Sequence, residues 1–115
     1  MIRLTFKTLP PSTNKLYGRA HGHVFINDKA RTAKDAIGWE ARAGYRGKPL
    51  AGPVWAEIDL YWPDRRNHDV DNIKALLDAL TGILWEDDGQ IADLHLSKHV
   101  DAKKPRVELR CDILN

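Results

Sequence analysis

Apolar and polar residues alternate along four separate segments of this chain, which is the pattern of a half-buried β-strand. In the clearest segment, every second residue from Val54 to Trp62 is apolar, and Pro63 ends the alternation because proline cannot donate to a strand ladder. The pattern predicts strands over residues 2–6, 54–62, 91–100 and 106–113.

Helical spacing replaces this alternation in two further segments. Apolar residues recur at i, i+3, i+4 and i+7 between residues 72 and 80, which predicts a helix with one buried face that stops before Gly82. A second helix is predicted from about Ala33 to Ala43, with Thr32 as its N-cap. Residues 15–30 are predicted to form an irregular loop, and a short hairpin within it is left open.

These elements predict a single α+β domain over residues 1–115, since a chain of this length has room for one core. The sheet is expected to be four-stranded and mostly antiparallel or mixed. The two helices are expected to pack on one face of it.

Composition excludes several other classes of protein. Apolar residues make up 43% and charged residues 30%, which is typical of a globular domain and not of a disordered chain. No apolar run is long enough to span a bilayer, and the first residues lack the apolar core of a signal peptide, so we expect a cytoplasmic protein without a membrane partner. The single cysteine, Cys111, is predicted to be a core thiol.

An unusual group of charged residues surrounds the start of the helix at residues 72–80. Asp69 and Asp71 lie two residues apart before it, and Lys74 falls in its first turn, where the helix dipole disfavours a cation. Residues 86–88 add three more acids in the turn after the helix, and the next strand is expected to run back and bring Asp88 beside the pair. Clustered carboxylates repel one another, and a divalent cation relieves that repulsion.

A purely structural interpretation exists for each of these acids alone. Asp71 is well placed as a helix N-cap, Asp69 as a turn residue, and residues 86–88 as a solvated turn. Taken together, and next to Arg65 and Arg66, they favour metal-dependent chemistry on a phosphodiester. The formal charge of +2 is too small to prove a nucleic-acid partner by itself.

The order of these residues resembles the RusA family of Holliday-junction resolvases. The chain carries the pattern D-x-D-N, K-A, D-A-L, D-D-x-Q, and a family-like opening motif, L-P-P-S-T-N. The stretches that carry the resemblance are residues 9–14, 63–72, 74–80 and 85–91. Because the match covers nearly the whole chain in order, it is more specific than any one short motif.

The resemblance implies an enzyme, a crossover junction endodeoxyribonuclease that acts as a homodimer on four-way DNA junctions in recombination and repair. It implies Mg²⁺ as the cofactor, with Mn²⁺ as a substitute, and no small-molecule cofactor. It also implies a cytoplasmic, nucleoid-associated protein. The family is often carried by phages and prophages, and the sequence leaves open whether this gene lies in a phage or in a bacterial chromosome. The essential acids of the family map onto Asp69, Asp71 and Asp88, and its essential lysine onto Lys74. The chain departs from the family pattern in one place, because Lys74 follows Asp71 by three residues instead of four.

From these assignments we expect Asp69, Asp71 and Asp88 to be both catalytic residues and Mg²⁺ ligands. Asp87 and Glu86 are expected to lie next to these ligands without binding the metal directly. Lys74 is expected to stabilise charge on the scissile phosphate. The residues expected to contact DNA lie in the first loop and beside the acids: Asn14, Lys15, Tyr17, Arg19, Arg65 and Arg66.

Two other functions compete with the nuclease. The chain could be a non-catalytic module that binds branched DNA, with acids that only cap and turn, or an interaction protein whose dimer is its function. The complete set of three carboxylates favours the enzyme. A zinc site built on His21 and His23 is a further alternative, but no third ligand is fixed by spacing.

Overall fold

The computed structural model describes the backbone of most of the chain. The described residues are 1–10, 17–20, 23–26, 28–65 and 72–114. At residues 17–20, 23–26, 28–30 and 72, the backbone alone is described.

A four-stranded sheet forms the centre of the described structure. Its strands are β1 (Ile2–Phe6), β4 (Val54–Trp62), β5 (Ile91–Val100) and β6 (Arg106–Ile113), and their order is β1-β6-β4-β5. The pairs β1–β6 and β4–β6 are antiparallel, whereas β4 and β5 are parallel. The sheet is therefore mixed, and all four strands coincide with the segments predicted from alternation.

Residues 17–26 contain the hairpin that the sequence left open. Strand β2 (Tyr17–Ala20) pairs antiparallel with β3 (His23–Ile26) as a separate two-stranded sheet.

Both helices contribute to the core on one face of the large sheet. Helix α1 (Asp28–Gly44) buries Ile37 and Ala41, and α2 (Asn72–Leu80) buries Leu76 and Leu80. They join the inward residues of β4, whose side chains alternate strictly between buried and half-buried along the strand. The predicted fold class, α+β with helices on one face of a mixed sheet, is confirmed.

Helix α1 begins earlier than the sequence predicted. It starts at Asp28, so Thr32 lies inside the helix and the prediction of Thr32 as N-cap is wrong. The residues between them, Lys29, Ala30 and Arg31, are strong helix formers, and they extend the helix through a position that would otherwise suit a cap.

The chain reverses direction between α2 and β5. Gly82 has a positive φ of 86°, the left-handed conformation that ends the helix as predicted. Thr81 and Leu50 each form a bridge to Trp85, whose side chain is fully buried. Helix α2 is thus the crossover that lets β5 start beside the start of β4 and run parallel to it.

The edge strand β5 is much less covered than the other strands. Leu94 is 40% exposed and Val100 52% exposed, although both lie on the face that carries the helices. In β6, Val107, Leu109 and Cys111 are buried as predicted, but the last inward position, Ile113, is 43% exposed. Burial ends there because Ile113 lies at the end of the ladder, opposite the first residue of β4.

On the opposite face of the sheet, the described residues form no helix, and side chains of β4, β5 and β6 form a network of paired charges, which we call the outer-face network. Tyr61 stacks on His99, with ring centroids 4.6 Å apart, and the Arg106 guanidinium lies 3.7 Å above the Tyr61 ring. Arg106 also donates to Asp101 at 2.9 Å and to Glu108 at 3.3 Å. These partners occupy the Arg106 guanidinium.

Two further pairs extend the outer-face network along the sheet. His99 contacts Asp59 at 2.8 Å, and Arg110 donates to Glu57 on the neighbouring strand. The hydrogen bond between Asp101 and Arg106 lowers the pKa of the Asp101 carboxyl and raises the pKa of the Arg106 guanidinium.

Two single residues bear on the predicted core. Cys111 is buried, and desolvation raises the pKa of its thiol to about 11, so it is a core thiol as predicted and not an activated nucleophile. Trp39 lies outside this core, because its side chain on α1 is 72% exposed.

Candidate active site

Three acids form the turn between α2 and β5, and we call residues 86–88 the acidic turn. Glu86 and Asp87 are exposed, whereas Asp88 is half-buried and begins the short 3₁₀ turn Asp88–Gln90. Of the three carboxylates predicted to bind metal, Asp88 is the one that the structure describes.

The side chain of Gln90 fixes the acidic turn against the segment before β4. Its Nε2 donates to the carbonyl oxygens of Leu50 at 2.8 Å and Gly52 at 2.9 Å. Its Oε1 accepts from the Asp87 N–H at 2.8 Å, and the Gln90 N–H donates back to the Asp87 carbonyl at 3.0 Å. Four hydrogen bonds therefore set the backbone on both sides of Asp88.

Gln90 is the last residue of the D-D-x-Q pattern, and the sequence alone indicates no role for it. Its partners are 38 and 40 residues away along the chain, so only the tertiary structure shows what it does. Its place in the motif was the one signal that could have drawn attention to it.

Trp85 anchors the chain immediately before the acidic turn. Its indole is fully buried, and its Nε1 donates to the Thr81 hydroxyl at 3.3 Å. Thr81 in turn donates to the Leu77 carbonyl at 3.0 Å, which ties the turn to the last turn of α2. The acids thus extend from a rigid support, which suits a site that must hold its ligands in fixed geometry.

Lys74 lies in the first turn of α2 and is exposed. Its neighbours Ala75 and Leu76 are fully buried, so the helix directs Lys74 away from the core. Within the described residues it forms no ion pair. Its charge is therefore available to a ligand.

Lys74 lies in the first turn of α2, whereas Asp88 follows the end of this helix along the chain. Lys74 and Leu80 are roughly 9 Å apart along the axis of α2, at 1.5 Å per residue, and the acidic turn lies beyond Leu80. The expectation that the next strand brings Asp88 beside Asp69 and Asp71 stays a prediction, because both of these residues lie outside the described part of the chain. Asp88 precedes β5 along the chain. The strand that returns begins at the end of α2.

Most other residues of the predicted site lie outside the described residues, and their roles stay predictions. Arg65, just after the end of β4, is exposed, as a DNA contact would need to be. Tyr17 and Arg19 lie in β2, where the backbone alone is described. The remaining residues, which the structure does not describe, are Asn14, Lys15, Arg66, Asp69 and Asp71.

Among the described residues, no group of three or more His, Cys, Asp or Glu side chains is arranged to hold a metal ion. The donor set predicted from sequence nevertheless fits the cation, since Mg²⁺ prefers carboxylate oxygens and Asp88 is a half-buried carboxylate on a fixed turn. No helix in the described part of the chain is long and apolar enough to cross a membrane.

Comparison with known proteins defines the class to which this fold and its acidic turn belong. The family model described as "Endodeoxyribonuclease RusA" matches residues 8–112, which include every predicted site residue. The chain therefore belongs to the RusA family of endodeoxyribonucleases, and both the resemblance and the enzyme class are confirmed.

Individual relatives agree with the family match. The crossover junction endodeoxyribonuclease RusA of Enterobacteria phage 82 is 35% identical over 102 residues, covering 87% of this chain and 85% of the relative. The protein of the same name from Escherichia coli K12 is 34% identical over the same coverage. The one from Aquifex aeolicus is 27% identical over 113 residues, covering 95% of this chain and 89% of the relative.

Proposed function

We propose that this protein resolves four-way DNA junctions by Mg²⁺-dependent, paired, symmetric nicks. The observation that carries the proposal is the acidic turn, in which Gln90 and the buried Trp85 hold Asp88 in place. The relatives are named crossover junction endodeoxyribonucleases, which agrees with this substrate and reaction.

In the proposed mechanism, Asp69, Asp71 and Asp88 hold Mg²⁺, and Asp87 and Glu86 support the site electrostatically. When bound, the metal supplies a water of lowered pKa and a Lewis acid for the phosphate oxygens. Asp88 contributes a fixed carboxylate because its backbone is held on both sides by Gln90. Lys74 contributes a positive charge that stabilises negative charge on the scissile phosphate.

A four-way junction needs two nicks related by symmetry, and a two-fold homodimer provides two identical sites. We infer that β5 forms the dimer contact. It is an edge strand of the described sheet, and it exposes Leu94 and Val100. A long edge strand with exposed apolar residues readily pairs with another strand.

Antiparallel pairing of two β5 strands would also assemble the separated parts of the site. The start of β5, just after Asp88, would lie beside the end of β5 in the second copy. That is also where β4 ends, since Trp62 pairs with Val100. The chain leaves β4 there on its way to Asp69 and Asp71, so each site would combine Asp88 of one copy with Asp69 and Asp71 of the other.

Cleavage of a synthetic four-way junction, with and without Mg²⁺, tests the reaction. Wild type is compared with Asp71→Asn, which keeps the side-chain shape and removes the charge. Paired nicks that require Mg²⁺ and vanish in the variant support the proposal. Tight junction binding without nicks would instead favour a non-catalytic DNA-binding module.

Mixing two inactive variants tests the shared site. After subunit exchange, a dimer of Asp71→Asn with Asp88→Asn keeps one intact site if each site draws on both copies, and it should nick the junction once. If each chain carried its own site, the mixture would stay inactive. Sedimentation that shows a monomer at micromolar concentration would contradict the dimer itself.

The family membership also bears on the cellular location of the protein. We propose that it acts at the nucleoid in the cytoplasm, and its similarity to a phage protein agrees with a phage or prophage origin.

A further inference from the structure

The two helices enclose a groove at the end of α2 that the predicted active site does not use. It has a volume of about 410 Å³ and is lined by residues that include Lys34, Asp35, Trp39, Arg42 and Asp78. Past Arg42 it continues into a second depression of about 340 Å³ that includes Arg46 and Pro49. We call the two together the Trp39 groove.

Trp39 is the most exposed tryptophan in the chain, at 72%, whereas Trp62 and Trp85 are buried and Trp55 is half-buried. Single exposed apolar residues are common on protein surfaces. Trp39, however, lines a concave surface large enough for a small organic ligand. An indole in that setting offers a flat face on which another ring can stack.

Cations flank this ring along the groove. Arg42 lies one helical turn from Trp39, Lys34 lines the same cavity, and Arg46 follows in the second depression. Within the part of the chain that the structure describes, none of these three side chains forms an ion pair. Their charges are therefore available to phosphate groups.

Two carboxylates, Asp35 and Asp78, also line the groove, and they argue against a site for phosphate alone. They suit a nucleotide, because a carboxylate accepts hydrogen bonds from the exocyclic amino group of a base. Aromatic stacking combined with cations along the backbone is how proteins hold single strands.

The groove also ends close to the support of the acidic turn. Pro49 lines its second depression, and the carbonyl of the next residue, Leu50, accepts the hydrogen bond from Gln90 that fixes the turn. A strand in the groove would therefore be held on the side of the molecule where Asp88 lies.

We propose that the Trp39 groove binds an unpaired nucleotide of the branched DNA substrate, with the base stacked on Trp39 and the backbone phosphates towards Arg42 and Arg46. The choice of DNA as the ligand rests on the proposed function. The site itself is separate from the carboxylates that are proposed to cut.

Binding of a single-stranded oligonucleotide of about eight nucleotides, without divalent metal, tests the proposal. Stacking should quench the fluorescence of wild-type protein, and Trp39→Ala should remove that quenching and weaken binding by about 5- to 150-fold. Trp39→Phe keeps an aromatic face and should retain most of the affinity. Arg42→Ala should reduce the salt dependence of binding, while Arg3→Ala, which removes an exposed arginine from β1, should leave it unchanged.

Oligonucleotide binding by Trp39→Ala that equals wild type would overturn the proposal. A change in sedimentation of Trp39→Ala without a change in oligonucleotide binding would also overturn it, because the groove would then be a contact between copies of the chain. The test is independent of cleavage. A junction that is cut normally while Trp39 is not quenched would contradict the groove alone, and quenching without junction cleavage would contradict the proposed nuclease alone.

Discussion

The two sides of this molecule use charge in opposite ways. On the outer-face network, Arg106 contacts two carboxylates and an aromatic ring, and Arg110 and His99 each contact an acid on the neighbouring strand. On the side of the helices and the acidic turn, Lys74, Arg42 and Arg46 form no ion pair within the described residues. Charges that are satisfied internally hold strands together, whereas charges without an internal partner can bind a ligand.

This difference separates stability from function. Exposed cross-strand ion pairs each contribute little, but a connected set fixes neighbouring strands in register. A carboxylate that forms no ion pair within the described residues, as at the acidic turn, is repelled by DNA until a metal ion intervenes. Substitutions on the outer face should therefore affect unfolding, and substitutions at the acidic turn should affect cleavage.

The largest effect is expected for Asp88→Asn. Loss of one metal ligand should lower the rate of junction cleavage by about 100-fold or more. The melting temperature should hardly change, because Asp88 is only half-buried. Glu86→Gln, two residues earlier in the acidic turn and exposed, is the matched control and should have a smaller effect. Cleavage by Asp88→Asn at the wild-type rate would remove Asp88 from the site.

Gln90→Leu should reduce both the rate of cleavage and the stability of the fold. It therefore combines the effect expected at the acidic turn with the effect expected on the outer face. It removes the hydrogen bonds to Leu50, Gly52 and Asp87, which should lower the free energy of unfolding by about 1–3 kcal/mol. Denaturant unfolding and single-turnover cleavage measure the two effects. Gln90→Glu keeps the acceptor for the Asp87 N–H and loses the donors to Leu50 and Gly52, so it should still impair cleavage. Full cleavage activity in both variants would show that the hydrogen bonds of the Gln90 side chain do not position Asp88.

Arg106→Leu should behave in the opposite way to Asp88→Asn, because it should lower stability and leave DNA binding unchanged. Without the guanidinium, Asp101 and Glu108 lose their partner and Tyr61 its stacked cation, so thermal unfolding should occur at a lower temperature. Junction affinity and its salt dependence should remain as in wild type. A shallower salt dependence in this variant would mean that Arg106 also holds a phosphate, which would break the distinction between the two sides.

The smallest expected effect is a pH dependence of stability from Asp101. Its pKa is lowered from 3.8 by hydrogen bonding to Arg106 and to the N–H groups of Lys103 and Lys104. Because the folded pKa is below the unfolded one, the stabilisation is present above about pH 4 and is lost as the pH falls through the lowered value. Asp101→Asn should remove this part of the acid dependence, measured by melting temperature against pH. An unchanged profile would show that Asp101 contributes nothing.

Most of the fold could be predicted from the sequence because its periodicities are strong. Strict alternation from Val54 to Trp62 and the helical repeat between residues 72 and 80 gave elements with the observed bounds. The helix start at Asp28 was missed because Thr32 satisfies the local rule for a cap, and local rules do not show where a longer helix begins. Trp39 is exposed although it is apolar, because apolar character predicts burial only on average.

The sequence by itself determined the family and the enzyme class, because those depend on the kind and order of residues. The tertiary structure decided where the residues lie. The parallel pairing of β4 and β5 puts Asp88 at the far end of α2 from Lys74, and Gln90 reaches across 38 and 40 residues to hold the acidic turn. The same topology leaves β5 as an exposed edge and opens the groove beside Trp39. Such relations depend on which segments meet in space, and a local pattern of residues does not contain that information.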